Sequence, residues 1–180
     1  ISVVVINAIN LIDGIDGLAG SIVFIALGGF AWEFIHIGVF SYALMAASLM
    51  GTVLAFLYYN LFGRVERNTK TFMGDTGSLA IGGIIAVTAI IIHKELLIPI
   101  ICFVFVLESA SVLLQTNIAR LGNKRGKKWR VFKRAPIHDT FRIKPGQLAP
   151  DLKIFLNWPK GCWLESKITT RFWIITIIMA

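Results

Sequence analysis

This chain has little of what several familiar enzyme classes are built from. It has only two cysteines, Cys102 in the middle of an apolar run and Cys162 in a basic segment. They belong at different depths, so no disulfide is expected. None of the three histidines has a second His or Cys at zinc-ligand spacing, which rejects a zinc site. No G-x-x-x-x-G-K-S/T and no G-x-S-x-G occurs, which removes the P-loop and the nucleophile elbow from consideration. There is no internal repeat and no low-complexity tract. The first apolar run has no basic leader and no cleavage-like end, so it does not read as a signal peptide.

What is present instead is apolar. Of 180 residues, 56% are hydrophobic and the mean hydropathy is +0.75, which places the chain in the membrane class. The expected fold is an all-α, multispanning transmembrane helix bundle forming a single integral-membrane domain over 1–180. Residues 1–11 read as the end of a spanning helix, and 18–37, 42–62, 77–92 and 96–121 each read as a crossing. Residues 168–180 begin another. The chain starts inside one apolar stretch and stops inside another, so it is expected to be an internal piece of a larger membrane protein.

The net charge is +8, and twelve of the eighteen Lys and Arg lie between Lys124 and Lys167. Beside membrane spans, such a block reads as a cytoplasmic loop before it reads as a nucleic-acid surface. Placing the basic stretches 63–73 and 122–167 in the cytoplasm fixes the remaining topology by alternation. The links 38–41 and 93–95 then fall outside, and residues 10–20 fall on the cytoplasmic side. Segment 122–167 is long for a connection, which suggests function or partial folding. Tyr58 and Tyr59 suit an aromatic belt, and His36 an inert interfacial position.

Three polar clusters stand out. The first is Asn10-Leu11-Ile12-Asp13-Gly14-Ile15-Asp16-Gly17. A carboxylate in a bilayer segment costs roughly 2.5–3.5 kcal/mol on insertion scales, so two of them three residues apart require a reason. If the segment is helical, Asn10, Asp13 and Asp16 share one broad side, a place for a hard cation or a polar ligand. A helix end with Asp capping and Gly breaking explains one Asp more easily than two.

The second cluster is Phe72-Met73-Gly74-Asp75-Thr76-Gly77-Ser78. Asp75 can cap the following helix, or it can hold Mg²⁺ against phosphate at the helix N-terminus. Phe72 is an interfacial anchor or a stacking platform for a base. The third cluster is Pro136-Ile137-His138-Asp139-Thr140. Within the span at 96–121, Glu108, Ser111 and Gln115 fall on one helical side and are expected to face other helices. For Glu108, functional use and an interhelical hydrogen bond stay open. The chemistry implied is phosphoryl transfer at the membrane surface, with Mg²⁺ and positioning supplying catalysis.

Asn7 to Ala19 and Phe72 to Leu79 resemble the signatures of the polyprenyl-phosphate sugar-1-phosphate transferases. Three further stretches, Glu108 to Gln115, Pro136-Ile137-His138 and Lys167 to Ile175, are similar to the phospho-N-acetylmuramoyl-pentapeptide transferase family within that superfamily. The resemblance implies a Mg²⁺-dependent enzyme of bacterial peptidoglycan synthesis. It would be multi-pass in the inner (cytoplasmic) membrane, with its active site on the cytoplasmic face. It would move phospho-N-acetylmuramoyl-pentapeptide from a UDP carrier to undecaprenyl phosphate, giving lipid I and UMP. Its partners would be the UDP-linked muramoyl-pentapeptide, undecaprenyl phosphate and the lipid bilayer, with no nucleic acid; a homodimer is one arrangement open to it.

Carried over by position, Asp75 binds the metal and Asp75, Asp13 and His138 are catalytic. Asn10, Asp13, Gly14, Ile15, Asp16 and Phe72 bind substrate, Phe72 by stacking on uracil. The family has three consecutive histidines where this chain has His138-Asp139-Thr140, so only the first role transfers. Residues 60–75 are some five residues longer than the family's stretch, and the loop after Phe141 is expanded. The family's adjacent aspartate pair would lie upstream of Ile1.

The nearest rival is an N-acetylhexosamine-1-phosphate transferase for another surface polymer, which would share the first two motifs. A transporter would place its acids mid-membrane. A structural subunit does not account for two acidic motifs on one face.

Overall fold

The computed structural model describes residues 2–63, 69–91, 100, 102–144, 147–148, 152–159 and 161–179. Its helices are α1 (Ser2–Ile12), α2 (Leu18–Ile37), α3 (Phe40–Phe62), α4 (Gly74–Ile91), α5 (Phe103–Lys124), α6 (Ile137–Arg142) and α7 (Glu165–Met179). A two-residue parallel ladder pairs β1 (Trp129–Arg130) with β2 (Lys153–Ile154). The fold is all-α, and the helices at 18–37, 40–62 and 74–91 are long and apolar enough to cross a membrane. The chain forms two compact units, residues 1–106 with 169–180, and residues 107–168.

In the first unit α2 is the central helix. Its residues Leu18, Ile22, Val23, Ala26, Phe30 and Phe34 are buried as it packs against α3, while α1 pairs with α4. The two pairs are joined where α2 touches α1 and α4. Lipid-length helices have no water-driven attraction inside a bilayer, so close backbone approach has to supply the packing. Gly82 provides it: a Cβ there would lie 2.7 Å from Ile6 Cα. Gly83, its neighbour, has open space. Gly82→Ala should therefore push α1 from α4 and destabilise by about 1–3 kcal/mol, whereas Gly83→Ala should be neutral or better. Thermal unfolding of the two full-length variants in detergent reads the difference.

Trp173 of α7 donates its indole N–H to Ser21 Oγ of α2, so one of the family-like residues in 167–175 serves packing. The spans expected at 18–37, 42–62 and 77–92 are thus present within a few residues. The one expected at 96–121 is described from Phe103 onward, and the link 93–95 lies outside the described residues.

In the second unit the basic stretch is folded. Gln115 on α5 reaches it with its whole amide: Oε1 accepts from Val131 N–H at 2.9 Å and Phe132 N–H at 3.0 Å. Its Nε2 donates to Phe132 O. Glu108 is fully buried and accepts the amides of Ile137 at 2.6 Å and His138 at 3.0 Å. These are orphan N-terminal donors of α6, so Glu108 caps that helix from another element. The expectation that Glu108 and Gln115 face other helices holds for Glu108, which bonds the start of α6, and is corrected for Gln115, which grips the backbone at Val131 and Phe132. Loop backbone at this point has no ladder to satisfy it, so the polar stripe of α5 supplies the acceptors. Ser111 only returns a bond to Glu108 O. Phe141 stacks on Trp163 at 4.5 Å with Trp158 edge-on, an aromatic cluster in this unit of which Phe141 is the buried member.

Candidate active site

Helix α1 stops at Ile12, and residues 13–17 form a turn rather than continuing it. Gly17, at φ 72°, has the left-handed backbone that lets the chain reverse into α2. Asn10, Asp13 and Asp16 therefore do not lie along one helix; the turn fans them out. Asn10 is on the last helical turn and donates from Nδ2 to Asp75 Oδ1 and to Ser78 Oγ, both at 3.0 Å. It does not line the cavity but fixes Asp75 from behind.

Asp75 is in the first turn of α4, one residue inside its start, so it is not the cap itself. The helix's positive end faces the same place. Asp13, Gly14, Ile15 and Asp16 meet Phe72 and Asp75 around a cavity of about 210 Å³. Two stretches some sixty residues apart in sequence thus make one site. Phe72 is 67% exposed, leaving its ring free for stacking, and Lys70 Nζ lies 5.4 Å from its centroid.

The site is electrostatically frustrated. Burial raises the Asp13 carboxyl to about 6; a Gly74 amide opposes this, while the Asp75 and Asp16 charges add to it. Lys70 neutralises only Asp16, at 2.5 Å. The remaining acid pair would be relieved by a cation, and the donors are all oxygen, the hard set that suits Mg²⁺. Among the described residues, no three His, Cys, Asp or Glu side chains converge to form a metal cage. Mg²⁺ held by one or two carboxylates and completed by substrate phosphate needs none.

Two residues of this site were not foreseen. Asn60, buried at the end of α3, accepts from Gly17 N–H at 2.6 Å and donates to Thr71 O at 2.8 Å. It ties the turn before α2 to the strand of chain before α4, and so sets the cavity's width. An amide at the end of an apolar span was the available signal. Lys70 stood in the sequence only as one of several loop cations.

His138 lies in the second unit. It is 2% exposed, with Nδ1 3.4 Å from Glu108 Oε1 and without a hydrogen bond at that atom. Its ring is packed under the loop rather than displayed. Asp139, standing where the resembled family has histidine, is flanked by Arg142 at 3.3 Å and Arg134 at 3.9 Å. Thr140 exchanges bonds with the Arg134 backbone and so closes the turn before α6.

Comparison with known proteins adds an independent finding. Residues 1–93 match the family described as Glycosyl transferase family 4. A Phocaeicola vulgatus protein named phospho-N-acetylmuramoyl-pentapeptide-transferase is 46% identical, over 97% of this chain and 44% of its own length. Proteins of the same name from Bacteroides fragilis and Porphyromonas gingivalis are 44% and 42% identical, again over 97% of this chain. The chain spans less than half the length of these curated relatives.

Proposed function

Because the chain belongs to glycosyl transferase family 4, we propose that the full-length protein transfers phospho-N-acetylmuramoyl-pentapeptide from UDP to undecaprenyl phosphate. The products are lipid I and UMP. The reading is supported by the names of the relatives and, above all, by one observation: the two acidic stretches close on a single cavity beside the start of α4.

In this reading Asp75 holds Mg²⁺, aimed by Asn10, and the metal's chemistry is to offset charge on the diphosphate. Asp13 is the second catalytic carboxylate. Raised but still largely ionised near neutrality, it repels a second anion unless that anion arrives with a cation. Gly14 and Ile15 present the turn's backbone to the nucleotide. Asp16, held by Lys70, forms the polar wall, and Phe72 stacks on uracil. For His138, the buried ring supports ordering of the loop at 137–142 more than contact with the donor. The site faces the cytoplasm of a bacterial inner membrane, as the basic loops suggest.

The rival donor is UDP-N-acetylglucosamine. Radiolabelled forms of both donors, offered with undecaprenyl phosphate to the full-length enzyme in detergent, decide between them. Label from the muramoyl-pentapeptide donor should enter lipid at least tenfold faster, about 1.4 kcal/mol in transition-state preference. Faster entry from UDP-N-acetylglucosamine overturns the assignment.

A further inference from the structure

A second cavity, of about 430 Å³, lies wholly within the folded basic stretch, lined by Arg130, Lys133, Arg134, Ile143, Gln147 and Leu148. Lys133 is 5% exposed and the Arg134 side chain 65%, so its cations run from a protected end to an open mouth. The Lys133 ammonium donates to the Pro159 carbonyl, which uses one of its three N–H bonds. Arg130 Nη1 donates to the Lys133 carbonyl at 3.4 Å, which leaves most of its five-donor guanidinium uncommitted. Gln147 accepts the Lys144 N–H through Oε1 at 3.0 Å, which leaves its Nε2 as a further donor. Among the described residues no carboxylate lies within ion-pair distance of Lys133 or Arg130. Arg134 has only Asp139 at 3.9 Å, an acid shared with Arg142. A carbonyl gives the Lys133 ammonium a hydrogen bond but no counter-charge. Burying that charge is costly, and two guanidinium groups on the same cavity add repulsion; an anion relieves both.

We propose that this cavity is a binding site for a terminal phosphate group, carried by a soluble molecule or by a lipid. A carboxylate offers two oxygens in one plane and a single charge. A terminal phosphate offers three oxygens arranged around phosphorus and close to two charges, which suits three cations on three side chains. Each guanidinium supplies a planar fork for two of those oxygens, and Lys133 supplies a point charge. The protein's own cations neutralise the anion here, so no metal is needed. Ile143 and Leu148 line the same cavity and offer apolar surface to whatever carries the phosphate. The site uses none of the residues of the acidic cavity, and phosphate binds here whether or not the transfer reaction is the one proposed above.

The test uses the full-length protein in a neutral detergent with EDTA, where the acidic cavity holds no metal and repels anions. Calorimetric titration with inorganic phosphate should show one site per chain, and acetate should bind at least tenfold more weakly. Arg130→Gln and Arg134→Gln should each weaken phosphate binding about tenfold, the effect of one charge-assisted hydrogen bond. Arg134 is exposed enough for its variant to keep the fold, which thermal unfolding checks. Lys124→Gln, an exposed charge outside the cavity, should change nothing. Short-chain phosphatidate identifies the source. Binding at least tenfold tighter than inorganic phosphate, and weakened by the same two variants, marks a lipid ligand; a smaller preference marks a soluble one. No binding of either probe, acetate bound as well as phosphate, or folded variants that bind like wild type would overturn the site.

Discussion

Asp75→Asn in the full-length enzyme should lower turnover at least 10²-fold while barely changing stability. Asn keeps the size of Asp and loses only the favourable first-turn charge, about 0.3–1 kcal/mol, so α4 still starts where it does. It still accepts from Asn10 Nδ2 through its carbonyl oxygen, so the bond that aims the side chain survives. What disappears is the charge. Preorganised charge is the dominant contribution in phosphoryl transfer, and losing such a group costs on the order of 3 kcal/mol or more. Asp16→Asn should behave differently. Asp16 is neutralised by Lys70 and lines the wall, so its loss should appear mainly as a higher donor KM with kcat little changed. Initial rates over a grid of Mg²⁺ and donor concentrations, with thermal unfolding alongside, separate the two. An Asp75→Asn enzyme that turns over normally, or fails only because it unfolds, would reduce Asp75 to a helix-start residue.

The second large effect concerns Glu108. Glu108→Ala removes the acceptor of two amides, that of His138 buried and that of Ile137 part-buried, and leaves a void where a fully buried side chain stood. Unsatisfied buried donors and a lost charged partner together should cost about 3–5 kcal/mol, concentrated in α6. Glu108→Gln keeps the volume and one acceptor and should recover part of this. Hydrogen exchange at Ile137 and His138 reads the cap directly: protection should fall strongly in the Ala variant and partly in the Gln variant. kcat should fall in the same order, with the Gln enzyme intermediate. Unchanged exchange at these two amides would contradict the capping role.

Composition and run length made most of the fold legible, because a bilayer-length apolar run has few alternatives. The expected crossing 18–37 coincides with α2, and 42–62 and 77–92 lie within three residues of α3 and α4. The site was legible as two motifs, since an Asp in an apolar context is costly wherever it falls. How the motifs meet was not legible. Asn10, Asp13 and Asp16 share one side only if the segment is helical; instead the helix ends at Ile12, the glycine-broken helix end that was the other reading, and the left-handed φ of Gly17 turns the acids into a cavity.

The length of segment 122–167 suggests function or partial folding, but the way it folds was not legible. Segment 122–167 lacks the period that marks long helices, so its order came from elsewhere: from Glu108 and Gln115 on α5 and from the Phe141–Trp158–Trp163 cluster. Such long-range side-chain-to-backbone bonds leave no periodic trace. Asn60 escaped for the same reason, as its two bonds reach 43 residues back and 11 forward.

The most direct test of the central claim, that Asp75 and the turn at 13–16 form the metal–nucleotide site, is Mn²⁺ binding followed by electron paramagnetic resonance. Full-length protein in detergent would be titrated with Mn²⁺ in the presence of the UDP-linked donor and without acceptor. Wild type should take up Mn²⁺ only when donor is present, and Asp75→Asn should lose that uptake while keeping its helical signal. Donor-dependent Mn²⁺ uptake of equal strength in Asp75→Asn would contradict the account.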